Sequence, residues 1–261
     1  MSSETLYATP KVVTDLNECL FYHTMDLPEY GLINGEWDLR EKVDEYLGNI
    51  DFDGKRVLDV GTASGFLGFH AECMGAEVVA FDSSEDYRLD FIPFAGNNVD
   101  QEILQYKDVI KKLNNSYWLV HRAYGSEAKV VYGTVYDIPE SIGSVDIAIV
   151  GALLEHLRDP FLALQNALKL TKDKVIVVER LFNCQSEEEA LEHLELPPSM
   201  LFLPAFLEKA ANLTWWYLSP SIIKEFIKVL GFETSQITIH PQWSNREGEI
   251  WFYTVVGERV N

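Results

Sequence analysis

The sequence is poor in cysteine and lacks the residue spacings that commonly bind metal ions. Its three cysteines, Cys19, Cys73 and Cys184, form no C-x-x-C pair, and their odd number argues against a disulfide framework and a structural zinc site. The six histidines show no H-x-x-x-H spacing, so we expect no metal cofactor. This cysteine usage is typical of a reducing compartment.

Long apolar runs and basic clusters are also missing. No run is long enough to span a bilayer, and residues 1–13 carry neither an apolar signal core nor an Arg-rich amphipathic pattern, so we expect a cytoplasmic protein. Lys and Arg number 21 against 41 Asp and Glu, which gives a formal charge of −20. Because this charge repels phosphate backbones and anionic lipid surfaces, it disfavours a nucleic-acid or membrane partner.

Short β-branched runs alternate with amphipathic stretches from about residue 54 onward, which is the pattern of parallel strands joined by helices. The last run alternates apolar and polar residues and follows its predecessor without a helix, so it predicts an antiparallel strand. The sequence thus predicts an α/β fold with a doubly wound, mainly parallel seven-stranded sheet. The predicted strands are 56–60, 77–81, 129–132, 145–150, 175–179, 235–239 and 249–256.

Two segments exceed what such a sheet needs. They are a helical leader, residues 1–50, and an insertion at about 87–125 between the second and third strands, with helical spacing at 101–113. Connections of this length are usually functional, so we expect lids or substrate walls. Since no linker or repeat appears, residues 51–261 and the leader are predicted to form one domain overall.

A glycine-rich turn follows the first predicted strand. Gly61 allows a tight turn, and Gly65 lets a ligand approach the backbone just before a helix whose N-terminus offers free N–H groups to a carboxylate. The next strand ends in Asp82, where a carboxylate can accept both hydroxyls of a ribose. The spacing G-x-x-x-G-x-x-G departs from the strict dinucleotide form, G-x-G-x-x-G.

The segment 57–66, VLDVGTASGF, resembles the signature of class I S-adenosylmethionine-dependent methyltransferases. Asp82, Asp146 and the segment 155–160 follow in the order found in that family. The resemblance implies a Rossmann-like fold with S-adenosyl-L-methionine as cofactor. It implies methionyl contacts from Gly61, Thr62, Ser64 and Gly65, ribose contacts from Asp82, adenine contacts around Tyr136 and Asp137, and further cofactor contacts from Ser83 and Gly151. Thr134 and Val135 stand where many relatives carry an aspartate.

A narrower resemblance lies in segments 35–40, GEWDLR, and 214–221, TWWYLSPS. They are similar to the branch related to enzymes that alkylate wobble uridine in tRNA. This resemblance implies that Arg40 reaches the cofactor carboxylate and that Trp37 contacts ligand. Because enzymes acting on tRNA need a basic face, the acidic charge favours a small-molecule acceptor instead, from secondary metabolism or glycan modification, methylated at oxygen or nitrogen.

His156 is the candidate catalytic residue. It follows the fourth predicted strand, at the sheet edge where doubly wound folds bind their ligands, and histidine is a common general base. A purely structural role in the following turn is equally compatible with this position. Aromatic and polar residues in the two additions and near the end predict an acceptor pocket. The candidates are Tyr22, His23, Trp37, Tyr117, Trp118, Arg122, Trp215 and Trp216.

Four other interpretations stay open from the residues. The fold also suits an NAD-dependent oxidoreductase, although the glycine spacing favours S-adenosylmethionine. The same cofactor supports aminocarboxypropyl transfer or internal cyclisation, which release methylthioadenosine. A tRNA-modifying transferase and a non-catalytic binding module complete the set. Association into a homo-oligomer is also left open.

Overall fold

A computed structural model describes residues 6–87, 89–96, 98–205 and 213–260. The strands are β1 (Met25–Leu27), β2 (Gly31–Ile33), β3 (Trp37–Asp38), β4 (Arg56–Val60), β5 (Glu77–Asp82), β6 (Lys129–Tyr132), β7 (Val145–Gly151), β8 (Thr171–Arg180), β9 (Met200–Phe202), β10 (Trp216–Leu218), β11 (Thr234–Ser244) and β12 (Gly248–Glu258). The helices are α1 (Val43–Tyr46), α2 (Phe66–Cys73), α3 (Val99–Tyr124), α4 (Pro160–Leu170), α5 (Glu187–Leu194) and α6 (Pro220–Val229). Short 3-10 turns occupy Leu16–Glu18, Glu140–Ile142, Leu154–His156 and Leu203–Ala205.

The main sheet has the strand order β3-β11-β12-β8-β7-β4-β5-β6. Strands β6, β5, β4, β7 and β8 pair in parallel, whereas β12 is antiparallel to both β8 and β11. This arrangement confirms the predicted mixed α/β fold with an antiparallel last strand. All seven predicted strands are present.

The sheet has eight strands rather than seven because the leader adds a short edge strand. In β3, Trp37 and Asp38 pair with Ser244 and Trp243 of β11. Two residues with no alternating pattern around them give no sequence signal for a strand. Their pairing depends on the exposed edge of β11, which is a tertiary feature.

Apolar side chains cover both faces of the sheet. On one face, Leu164 of α4 and Ile223 and Ile227 of α6 pack against the strands. On the other face, Phe69 of α2 and Trp118 of α3 pack together with Met25 and other buried leader residues. The leader is therefore part of the second core layer.

Helix α3 is much longer than the helical spacing at 101–113 predicts. It begins after Asn98, whose side chain accepts a hydrogen bond from the Gln101 N–H, and ends at Gly125, which adopts a φ of 63°. The polar run Asn114-Asn115-Ser116 interrupts the apolar periodicity in the sequence, yet it is buried. Its side chains bind the Ser83 carbonyl, the Glu18 carbonyl and the backbone of Leu20. Contacts distant in sequence thus explain polar residues inside this helix.

The predicted helix starts at Asp159 and Ser219 are present. Each side chain accepts a hydrogen bond from a backbone N–H three residues on, and Pro160 and Pro220 each occupy the first helical position. Asp159 follows His156 by three residues. The start of α4 therefore fixes the chain just after the segment that carries His156.

We expect Asp159→Ala to lower the free energy of unfolding by about 1 kcal/mol, because it removes the cap of the Leu162 N–H. Urea denaturation would measure the change. Asp137→Ala, at an exposed aspartate in a turn, serves as the control. Equal losses in the two variants would contradict the capping role.

Candidate active site

Three strand ends meet at one edge of the main sheet. Strand β4 lies between β5 and β7, and all three run in the same direction. Their carboxyl ends therefore bring Gly61, Asp82 and Gly151 to adjacent positions. This is the edge at which open α/β sheets bind ligands.

The glycine turn adopts backbone conformations that favour glycine. Gly61 has a φ of 80° and donates its N–H to the Phe81 carbonyl at 2.8 Å. Gly65 has a φ of 87°, and a Cβ there would lie 2.2 Å from the Phe69 ring. Gly65 is thus required by its conformation and by aromatic packing behind the turn.

Asp82 joins the ends of β4 and β5 through its carboxylate. Oδ2 accepts the Ala63 N–H at 2.7 Å, and Oδ1 accepts the Ser83 N–H at 2.6 Å. Burial raises the pKa of Asp82, and these N–H donors oppose that rise. The carboxylate holds the glycine turn in place and also lines a cavity.

Asp59 lies below the same turn. Its Oδ2 accepts the Thr62 hydroxyl hydrogen at 2.6 Å. Burial raises the pKa of Asp59 to about 6, and the neighbouring Asp82 carboxylate acts in the same direction. Asp59 is therefore partly neutral near pH 6.

A cavity of about 490 Å³, the main cavity, opens above these strand ends. Seven predicted site residues line it: Tyr22, Gly61, Asp82, Ser83, Tyr136, Gly151 and His156. The insertion contributes an apolar wall from α3, made by Tyr106, Ile110 and Leu113. Val135 and Gly133 line it beside Tyr136. The structure thus brings five of the cofactor candidates, namely Gly61, Asp82, Ser83, Tyr136 and Gly151, into one space with the candidate base.

Asp90 is a lining residue that sequence reasoning missed. Its carboxylate accepts hydrogen bonds from the Tyr136 hydroxyl and from the Arg158 N–H, the latter at 2.8 Å. Its carbonyl accepts the Trp215 indole N–H at 2.6 Å. Asp90 therefore joins the insertion to the segments after β6 and β7. Its partners are far apart in the sequence, so no local pattern indicates this role.

The leader covers the N-terminal side of the glycine turn. The His23 N–H donates to Ser64 Oγ at 3.2 Å, and Ser64 is fully buried. Burial lowers the pKa of His23 to about 3, so its imidazole is neutral. A second cavity of about 20 Å³ lies here, lined by His23, Trp37 and Thr62. Tyr22, Gly61 and Gly151 line both cavities.

His156 lies in the 3-10 turn after β7. Its Nδ1 is 3.1 Å from the Leu213 carbonyl, which places the imidazole proton on Nδ1 because a carbonyl only accepts. Its Nε2 therefore carries the lone pair and lies 3.5 Å from Glu155 Oε1. Glu155 is buried, and burial raises the pKa of its carboxyl.

Glu179 holds the backbone of this turn. Its carboxylate accepts the Leu154 N–H at 2.8 Å and the Glu155 N–H at 3.3 Å. Burial, reinforced by the Glu155 charge, raises the pKa of Glu179 well above its ordinary value. Glu179 lies one residue before the end of β8 and thus fixes the position of His156 from the neighbouring strand.

Several predicted site residues lie elsewhere. Tyr117 and Trp118 are buried in the core, where Trp118 donates its indole N–H to the Tyr132 hydroxyl. Arg122 is exposed in the last turn of α3. Asp137 is exposed beside Tyr136. None of these four residues lines either cavity. Tyr117 and Trp118 pack in the core, and Arg122 and Asp137 face solvent.

Three further candidates lie near a cavity without lining it. Arg40 is exposed and forms an ion pair with Asp38 at 2.7 Å. Trp215 and Trp216 donate their indole N–H groups to the carbonyls of Asp90 and Leu157, so they support the wall from behind. The adjacent Leu213 and Thr214 provide the lining surface.

A family model described as a methyltransferase domain matches residues 35–236. The chain belongs to the methyltransferase-domain family. It is an S-adenosylmethionine-dependent methyltransferase. No curated protein matches the chain in a sequence search.

Solved structures share the fold of this methyltransferase at low identity. The N-terminal domain of EvdMO1, solved in the presence of SAH and D-fucose, is 14% identical with a TM-score of 0.52, and the match covers 94% of this chain and 93% of that one. Magnesium protoporphyrin IX methyltransferase (ChlM) from Synechocystis PCC 6803, with bound SAH, is 15% identical with a TM-score of 0.51 over 85% and 82% of the two chains. A methyltransferase from Methanosarcina mazei is 13% identical with a TM-score of 0.52 over 82% and 95%.

The residues of the main cavity fit an adenosyl cofactor. Its volume lies in the range of small-molecule sites, and the Asp82 carboxylate has acceptor capacity left for ribose hydroxyls. Val135 and Tyr136 offer an apolar surface of the kind that binds a purine. Within the described ranges, no three His, Cys, Asp or Glu side chains converge as a metal site. No helix in these ranges is long and apolar enough to cross a membrane.

Replacing Asp82 tests the ribose contact. We expect Asp82→Asn to weaken S-adenosylhomocysteine binding roughly 10- to 100-fold, because it removes charge-assisted hydrogen bonds to the hydroxyls. Calorimetric titration would measure the loss, with Asp86→Asn, at an exposed aspartate paired with Lys107, as control. Unchanged affinity in Asp82→Asn would leave this aspartate only its role in the glycine turn.

The raised pKa of Asp59 predicts a pH dependence of stability. Between its ordinary value of 3.8 and about 6, the unfolded chain releases this proton while the folded protein keeps it, so the free energy of unfolding falls as pH rises. Asp59→Asn stays neutral and should gain up to about 3 kcal/mol relative to wild type between pH 4 and pH 7.

Urea denaturation at a series of pH values would measure this difference. Asp86→Asn, which alters an exposed carboxylate, should show no such trend. A constant difference between Asp59→Asn and wild type across the range would contradict the raised pKa.

Proposed function

We propose that this methyltransferase acts on a small, largely apolar acceptor and methylates it at oxygen or nitrogen. The observation that carries the proposal is the composition of the main cavity. It joins Gly61, Asp82 and His156 in one space, and its remaining walls are mostly apolar and aromatic side chains. They come from the insertion, from Tyr22 of the leader, and from the segments after β6, after β7 and before β10. Such walls suit a small organic molecule.

Charge supports a small acceptor over tRNA. Arg246 is the only Lys or Arg among the described residues that line the main cavity. The chain has a net charge of −20. Since tRNA binding requires basic groups against phosphates, the resemblance to wobble-uridine enzymes does not extend to the substrate in this proposal.

Methyl transfer is an in-line displacement in which positioning does most of the work. S-adenosylmethionine supplies an electrophilic methyl group on its sulfonium sulfur. The acceptor oxygen or nitrogen forms the new bond to that carbon, the carbon–sulfur bond breaks, and the acceptor loses a proton. His156 accepts that proton at Nε2, the ring nitrogen that carries the lone pair.

Glu155 stabilises the protonated form of His156 in this proposal. Its Oε1 lies 3.5 Å from Nε2 in a buried setting, so an imidazolium there gains a close opposite charge. Leu213, whose carbonyl accepts the Nδ1 proton, orients the ring. The arrangement provides a proton acceptor in the wall of the main cavity.

His156→Gln is expected to lower turnover 100-fold or more, on the scale of about 10² to 10⁴ for general base catalysis, while S-adenosylhomocysteine binds as in wild type. S-adenosylhomocysteine release would be measured against a panel of hydroxyl and amine acceptors. His70→Gln, at a histidine paired with exposed Asp44 outside the main cavity, is the matched control.

Turnover of His156→Gln within a few-fold of wild type would remove the base assignment and leave the structural role in the turn. The product identifies the transferred group. Methylthioadenosine in place of S-adenosylhomocysteine would indicate aminocarboxypropyl transfer or cyclisation and would contradict a methylated acceptor.

A further inference from the structure

Arg246 lies in the turn between β11 and β12 and lines the main cavity. Its guanidinium is 3.4 Å from Glu36 Oε2, and its side chain is 75% exposed. A long, exposed pair of this kind is weak, so the guanidinium is available to another anion. Sequence reasoning did not single out this residue.

The turn that carries Arg246 is firmly braced. Ser244 Oγ accepts the N–H groups of Arg246 and Glu247 at 3.2 and 3.1 Å. Asn245 donates its backbone N–H to the Glu36 carbonyl at 2.8 Å and its side-chain amide to the Gly35 carbonyl at 2.9 Å. The backbone of the turn is therefore fixed to the leader, and the Arg246 side chain extends from it with a single long ion pair.

The two sites that the sequence suggested for a carboxylate are otherwise engaged. The start of α2 is covered by the leader, because Ser64 is buried under His23. Arg40 forms a two-pronged pair with Asp38, with Nε and Nη2 at 2.8 and 2.7 Å from the carboxylate oxygens, and it does not line the main cavity.

We propose that Arg246 binds the carboxylate of a ligand in the main cavity. The inference rests on the proposed function, since it places cofactor and acceptor in that cavity. Guanidinium groups bind carboxylates through paired, charge-assisted hydrogen bonds. Two sources would supply this chemistry, namely the methionyl carboxylate of the cofactor and the carboxylate of an acidic acceptor.

The test compares ligands that differ only in the carboxylate. S-adenosylhomocysteine and 5′-methylthioadenosine share the adenosyl thioether, but only the first carries an amino acid group. Both are titrated calorimetrically into wild type, Arg246→Gln, Arg40→Gln and Glu36→Gln. Protein loaded with S-adenosylhomocysteine is then titrated with benzoate and with benzamide, planar probes suited to the Tyr106, Ile110 and Leu113 wall.

With the cofactor as source, Arg246→Gln weakens S-adenosylhomocysteine binding about tenfold or more and leaves methylthioadenosine binding unchanged. Glu36→Gln, which removes the competing carboxylate, strengthens S-adenosylhomocysteine binding. With the acceptor as source, each adenosyl ligand binds with the same affinity in all four proteins. Arg246→Gln then loses benzoate binding but keeps benzamide binding. Arg40→Gln matches wild type in either case.

Two results would overturn the proposal: Arg246→Gln behaving as wild type with every ligand, or Arg40→Gln showing the selective loss. Methylthioadenosine binding reports the adenosyl site separately from Arg246. Absence of methylthioadenosine binding in wild type would contradict the proposed function. Normal methylthioadenosine binding without any effect of Arg246→Gln would contradict only the Arg246 assignment.

Discussion

The parallel pairing of β4 with β5 and β7 is the constraint on which the site depends. Parallel strands have their carboxyl ends on one side, so Gly61, Asp82 and Gly151 become neighbours although they are distant in the sequence. The hydrogen bond between Asp82 and the Ala63 N–H then locks the first two ends together. The third end, extended by the turn to His156, is held by Glu179 from β8. Four adjacent strands thus determine the positions of Gly61, Asp82, Gly151 and His156.

The parts of the fold that follow from local pattern were predictable from sequence. The strands at 56–60 and 129–132 have the predicted bounds, and the caps at Asp159 and Ser219 are where short-range chemistry places them. The glycine turn and Asp82 carry a signature whose spacing reflects backbone geometry. Each of these features depends on a few neighbouring residues, so the local sequence is enough to predict it.

What sequence could not supply depends on contacts between distant segments. The sequence does not distinguish an aromatic residue of the core from one that lines a pocket. Tyr117 and Trp118 differ from Tyr22 only once the packing of α3 on the sheet is known. Asp90 and Arg246 acquire their positions only through partners in other segments. The division at residue 50 and the site roles of individual residues stay predictions, as does association between chains. Within the described structure, however, the leader shares a core layer with α2 and α3.

The bracing of the β11–β12 turn by the leader has a consequence for folding during synthesis. Asn245 binds Gly35 across 210 residues, and Gln242 binds the Lys42 carbonyl across 200. The leader is therefore translated 200 residues or more before these partners. Apolar side chains of the leader, including Met25 and Trp37, therefore stay exposed until the segments that bury them have been synthesised. Such long-range closure makes for slow folding and a period of exposure to chaperones and to aggregation.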